Sequence, residues 1–207
     1  MAMFELDAGV PAEVVPLSWL LGVWEGTGVL AYKIGDEVIE HEFGQRVAFT
    51  HDGTPHLQYS SSTWLLGDEP AEGRLSPPPL FSEIGYWRLS RPLGAADPGP
   101  GLLPGVGDPV FTTAEAVETL RNARGGFDIE AAIVHPGGVS EVYLGEVNGP
   151  RIDVVTDAVL RTATAKDYAA ATRMYGLVEN HLLWAWDIAA LGQDLRTHAS
   201  GRLAHVE

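Results

Sequence analysis

The chain has 207 residues, 45% hydrophobic and 20% charged, enough for one substantial core. It contains no cysteine, which excludes disulfides, cysteine-ligated zinc, iron–sulfur clusters, covalent haem attachment and cysteine nucleophiles. A formal net charge of −15 at pH 7 repels phosphate backbones and argues against a nucleic-acid partner. Mean hydropathy is near zero, and no apolar run approaches the ~20 residues that span a bilayer. Without a charged-then-apolar leader, a cytoplasmic chain with no membrane partner is expected.

Residues 1–15 read as a loose acidic lead, and Pro16–Leu21 as a short helical turn that plugs something apolar. From Gly22 the texture becomes that of strands. They are expected at Gly22–Lys33, Glu37–Thr50, Pro55–Leu66, Phe81–Arg91, Phe127–His135, Gly138–Val147, Arg151–Leu160, Tyr168–Val178, His181–Ile188 and Asp194–Val206. Gly35-Asp36, Asp52-Gly53, Pro136-Gly137-Gly138, Asn148-Gly149 and Glu179-Asn180 supply hairpin turns between them. About ten sequential strands joined by tight turns describe an all-β, up-and-down antiparallel barrel in a single domain over residues 1–207. Residues 91–126 break the pattern, being Pro/Gly-rich and then helical over Ala114–Arg124, with Thr112 and Glu115 at capping-box spacing. This insertion is either a lid over a barrel mouth or a surface excursion. Thr162–Tyr175 fits a helix or a turn at Thr164-Ala165-Lys166 followed by a strand; the flanking hairpins favour the strand.

No nucleophile elbow, P-loop, Rossmann fingerprint or zinc-binding histidine pair is present. The informative run is Gly22-Val23-Trp24-Glu25-Gly26-Thr27-Gly28. A tryptophan opening the first strand of a closed barrel plugs its base. The alternating glycines then admit close approach of a neighbouring strand or a flat ligand. Downstream come Phe49-x-His51-x-Gly53-x-Pro55-x-Leu57-x-Tyr59, Ser82-Glu83-x-Gly85-Tyr86 with Arg88, His135-Pro136-x-Gly138 with Glu141, Thr164-Ala165-Lys166, and Gly192-Gln193-x-Leu195 with His198. In this order the motifs resemble the nitrobindin family, the fatty-acid-binding-protein-like barrels that hold haem, over nearly the whole chain.

The resemblance implies a ten-stranded barrel with one non-covalent b-type haem in a mouth. It places the proximal histidine at His198, as metal ligand and catalytic residue. It places Lys166 near the haem carboxylates and the glycine–tryptophan run (Gly22, Trp24, Gly26, Gly28) among the cofactor-binding residues. It also implies nitric oxide binding, isomerisation of peroxynitrite to nitrate, and a homodimer. The residues themselves leave alternatives. By strict alternation His198 falls with Arg196, Ser200 and Arg202 on an outward face, which only a rim or a bulge would reverse. Trp24 reads as packing, His51 as a structural strand-end residue, and Trp184 and Trp186 as core or a dimer surface. Phe81 stands where family members carry a histidine, which removes a polar group from the open haem face. The acidic surface slows, not steers, an anionic substrate. Two other functions share the fold: a haem-free carrier of a fatty acid or other apolar ligand, and a non-catalytic nitric oxide sensor.

Overall fold

The computed structural model describes residues 9–34, 37–67, 77–190 and 194–206. The Gly35-Asp36 turn and the Gly192-Gln193 pair lie outside them. Ten strands follow in chain order: β1 (Gly22–Ile34), β2 (Glu37–Thr50), β3 (Leu57–Leu65), β4 (Pro79–Leu89), β5 (Phe127–His135), β6 (Val139–Val147), β7 (Arg151–Arg161), β8 (Tyr168–Val178), β9 (His181–Ala190) and β10 (Arg196–Val206). Each pairs antiparallel with its chain neighbours, and β1 pairs with β10 to close the barrel. Every strand boundary lies within two residues of expectation. Period-2 patterning is the cause. In β5, for example, Phe127, Ile129, Ala131, Ile133 and His135 are buried and the residues between them are not. At the β8–β9 hairpin Glu179 and Asn180 both take positive φ (50° and 61°), as a two-residue turn matched to strand twist requires.

One end of the barrel is sealed. A 3₁₀ helix, Ala12–Leu20, buries Val14, Leu17 and Leu20 against it. The helix begins four residues before the expected turn, so residues 12–15 are ordered structure and not loose lead. Trp24 is fully buried and donates from Nε1 to the Leu20 carbonyl at 2.7 Å.

The insertion leaves the end of β4 and returns at the start of β5, so it lies at this sealed end. The lid reading is therefore corrected: residues 91–126 are at the far end from the open mouth and complete the seal. Arg91 binds Glu13 of the 3₁₀ helix at 2.5 and 3.0 Å and Asp97 at 2.7 and 2.9 Å. That ion pair holds Asp97 down at about 2. Val117 is buried in the core, with Phe111 and Leu120 packed against it. The helix here, α1 (Ala114–Glu118), is shorter than expected. Thr113, not Thr112, caps it, accepting from the Ala116 N–H at 3.2 Å. Beyond it the Asn122 side chain accepts from the Arg124 and Gly126 N–H groups at 3.0 and 3.1 Å, bonds that compete with helix continuation.

Candidate functional site

At the open end lies a cavity of about 280 Å³ walled by β1–β4 and β8–β10. His198 lines it, and the parity argument against that histidine fails at a bulge. Thr197 pairs with Asp187 and Ala199 with Trp186, which leaves His198 as the extra residue of β10. The bulge resets the alternation, so His198 and Ala199 both line the cavity. The imidazole is hydrogen-bonded to the Ala31 backbone and meets Trp186 edge-on, with centroids 5.8 Å apart. Burial pushes its pKa below the ordinary value and the nearby Arg196 charge adds to that, against the opposite pull of the Ala31 bond. The ring is thus held neutral, the form that ligates metals.

Trp184 and Trp186 both line the cavity and pack against the core, in keeping with the core reading. Two glycines make room for the walls. A side chain at Gly201 would strike the Trp184 indole, and one at Gly28 the Phe43 ring. Trp184 donates to Gln45 (2.8 Å), which donates to Ser61 (2.9 Å), tying β9, β2 and β3 together across the interior. Phe81 is also on the wall, 6.0 Å from Trp186.

The other residues expected to hold a cofactor are elsewhere. Gly22 and Trp24 are at the sealed end against His205, because β1 enters the barrel there. Gly26 admits the β10 backbone: a Cβ on it would sit 2.2 Å from the Arg202 oxygen. Gly28 makes room for both the Phe43 ring and the Ser200 carbonyl of β10. Close strand approach thus accounts for this run, and none of the four lines the cavity. Lys166 is exposed in the β7–β8 turn at the open end, its carbonyl accepting from Arg161 at 3.2 Å, and it does not line the cavity either. His51 accepts from the Gly53 N–H at 3.3 Å, a turn role.

Beside the cavity is a buried ionic cluster that the expected site omits. Arg173, 4% exposed, donates to Glu83 at 2.6 and 3.0 Å and reaches Glu141 at 3.4 Å. Tyr59 donates to Glu83 at 2.6 Å; Tyr143 and Tyr168 donate to Glu141 at 2.6 and 2.5 Å. His135 Nε2 is 2.5 Å from Glu141 and its Nδ1 is 3.5 Å from Glu83. Burial alone would raise both carboxyls. The Arg173 charge and hydrogen bonds, with His135 and the phenols, outweigh it and hold Glu83 and Glu141 below the ordinary carboxylate value. Glu83, His135 and Glu141 are close enough to hold a metal ion, but the Arg173 guanidinium already occupies the place of the cation. Glu83 and Arg173 also line the cavity. The signal in the sequence was a charged residue at an inward position: Arg173 is in phase with Ala171 and Tyr175 on β8.

These residues fit a haem. The walls present flat aromatic faces, and the one imidazole on them is neutral. Its hydrogen bond to a backbone group is the outer-shell support that metal-bound histidines generally have. Comparison with known proteins agrees. The model of a THAP4-like, heme-binding beta-barrel domain matches residues 13–205. A protein of Clavibacter michiganensis subsp. michiganensis named peroxynitrite isomerase is 63% identical over 99% of this chain and all of its own length. One of the same name from Leifsonia xyli subsp. xyli is 65% identical over the same shares. The crystal structure of Rv2717c from M. tuberculosis superposes with a TM-score of 0.65 at 25% identity, covering 96% of this chain and 99% of that one. The chain belongs to the THAP4-like haem-binding β-barrel family, as the nitrobindin resemblance implied.

Proposed function

We propose that this chain is a peroxynitrite isomerase that holds one non-covalent b-type haem in the open-end cavity, with His198 as the axial ligand, and also binds nitric oxide. The observation that carries the reading is the β10 bulge, which turns a neutral, hydrogen-bonded imidazole into an aromatic-walled cavity. Relatives that share over 60% of its residues along their full length carry that activity in their names.

A ferric haem bound there supplies Lewis-acid and one-electron chemistry toward an O–O bond. The residues of the chain do the rest. The Ala31 backbone orients the His198 ring and leaves its other nitrogen for iron. Trp186, edge-on, limits rotation of that ring. Phe43, Phe81, Leu30 and the two tryptophans keep the reacting centre apolar and exclude water. Lys166, exposed at the open end, is assigned to a haem carboxylate. A fatty-acid carrier is less well supported, because the guanidinium on the wall is already engaged by Glu83 and offers a ligand carboxylate little. Stopped-flow mixing of peroxynitrite with the ferric haem-loaded protein tests the proposal. Accelerated decay with nitrate as the product is expected, and the acceleration is lost in His198→Ala. Decay no faster than with buffer would refute it.

A further inference from the structure

The cluster under the cavity carries a charge imbalance. Glu83 and Glu141 are both held ionised, and Arg173 is the guanidinium between them. Two buried negative charges therefore face one positive charge. Glu141 is ionised and has no proton to give, so Nε2 of His135 donates to it. Nδ1, on a side chain 4% exposed, makes no hydrogen bond and points toward the Glu83 carboxylate at 3.5 Å. A proton placed there would face the Glu83 carboxylate, while Nε2 stays on Glu141. The route to it from the cavity is short, since Glu83 lines the wall. The groups around the imidazole are Glu83 on β4, Glu141 and Tyr143 on β6, and Tyr168 and Arg173 on β8. The Phe81 and Trp186 rings pack beside it, with centroids 5.0 and 6.2 Å away.

We propose that Glu83 and His135, backed by Glu141, form a buried proton acceptor for the cavity, serving ligands that arrive as neutral weak acids. This deepens the proposed function and rests on it for the choice of peroxynitrous acid as the natural case. A surface of net charge −15 disfavours anions, and an apolar cavity favours the uncharged acid. Peroxynitrous acid becomes nitrate plus one proton: its O–O bond breaks, a new N–O bond forms, and the O–H proton must go elsewhere. Glu83, ionised at rest, carries that proton only in passing to Nδ1 of His135. It returns to water through the mouth after nitrate leaves.

Hydrogen cyanide tests this without peroxynitrite, since it must lose a proton to bind ferric haem as cyanide. Association is followed in the Soret band for wild type and His135→Gln at pH 7, with carbon monoxide on the ferrous form as the ligand that loses no proton. His135→Gln is expected to slow hydrogen cyanide roughly 10–100-fold and leave carbon monoxide unchanged. Equal slowing of both ligands, or of neither, overturns the proposal. In wild type alone, cyanide association is expected to be slower in D₂O than in H₂O; equal rates overturn it even if the variant fails to fold. A protein that passes here yet does not isomerise peroxynitrite would refute the proposed function and leave the proton acceptor standing.

Discussion

Arg173→Ala is expected to destabilise the folded chain by about 3–5 kcal/mol at pH 7, the usual cost of removing one partner of a buried ion pair. The guanidinium is almost wholly buried and answers two carboxylates that are buried with it. Without it, burial dominates at Glu83 and Glu141, and their folded pKa values rise. The pH dependence then reverses sign. In wild type both carboxyls sit below their ordinary value of 4.5. Their contribution is present above pH 4.5 and is lost as pH falls through the folded values. In the variant the charged forms are disfavoured by folding, so stability falls as pH rises through the raised values. Urea unfolding at pH 7 and pH 5 should show the deficit of the variant shrinking at the lower pH. A deficit that stays constant would mean that the charge balance is not what Arg173 provides. Adding Glu83→Gln to Arg173→Ala should recover part of the loss, because it removes one of the two stranded charges.

Trp24→Ala is expected to cost about 3–5 kcal/mol as well, by a different cause and at the other end. The indole is fully buried, meets His205 edge-on at 4.9 Å and donates to the Leu20 carbonyl. Truncation opens a cavity and leaves that carbonyl without its partner, so the 3₁₀ helix loses its anchor on the barrel. Hemin affinity should be unchanged, since Trp24 does not line the cavity. Thermal unfolding and hemin titration of the one variant check both halves. A variant of normal stability with weakened haem binding would return Trp24 to the cofactor site.

Much of the barrel was legible because its strands alternate and its hairpins carry turn residues. β2, β5 and β8 match their expected limits to the residue. The insertion was legible as an interruption but not as a seal. Its place follows from which end of β4 it leaves, and the Arg91–Glu13 contact joins residues 78 apart in the chain. His198 was legible only by family likeness, since alternation pointed it outward and a bulge has no composition of its own. The ionic cluster was half visible. Glu83, His135 and Glu141 stood within recognised motifs, whereas Arg173 is brought to Glu83 across 90 residues by barrel closure. The glycine–tryptophan run misled in one respect: it marks close strand packing near the sealed end, not the cavity.

The proposed function depends on a haem held in the cavity by His198. The direct measurement is a hemin titration of wild type and His198→Ala, read in the Soret band, with free imidazole then added to the variant. Wild type should saturate at one hemin per chain. The variant should bind more than about 100-fold more weakly, and imidazole should restore the wild-type spectrum. The same Soret band and the same affinity in both proteins would contradict the account.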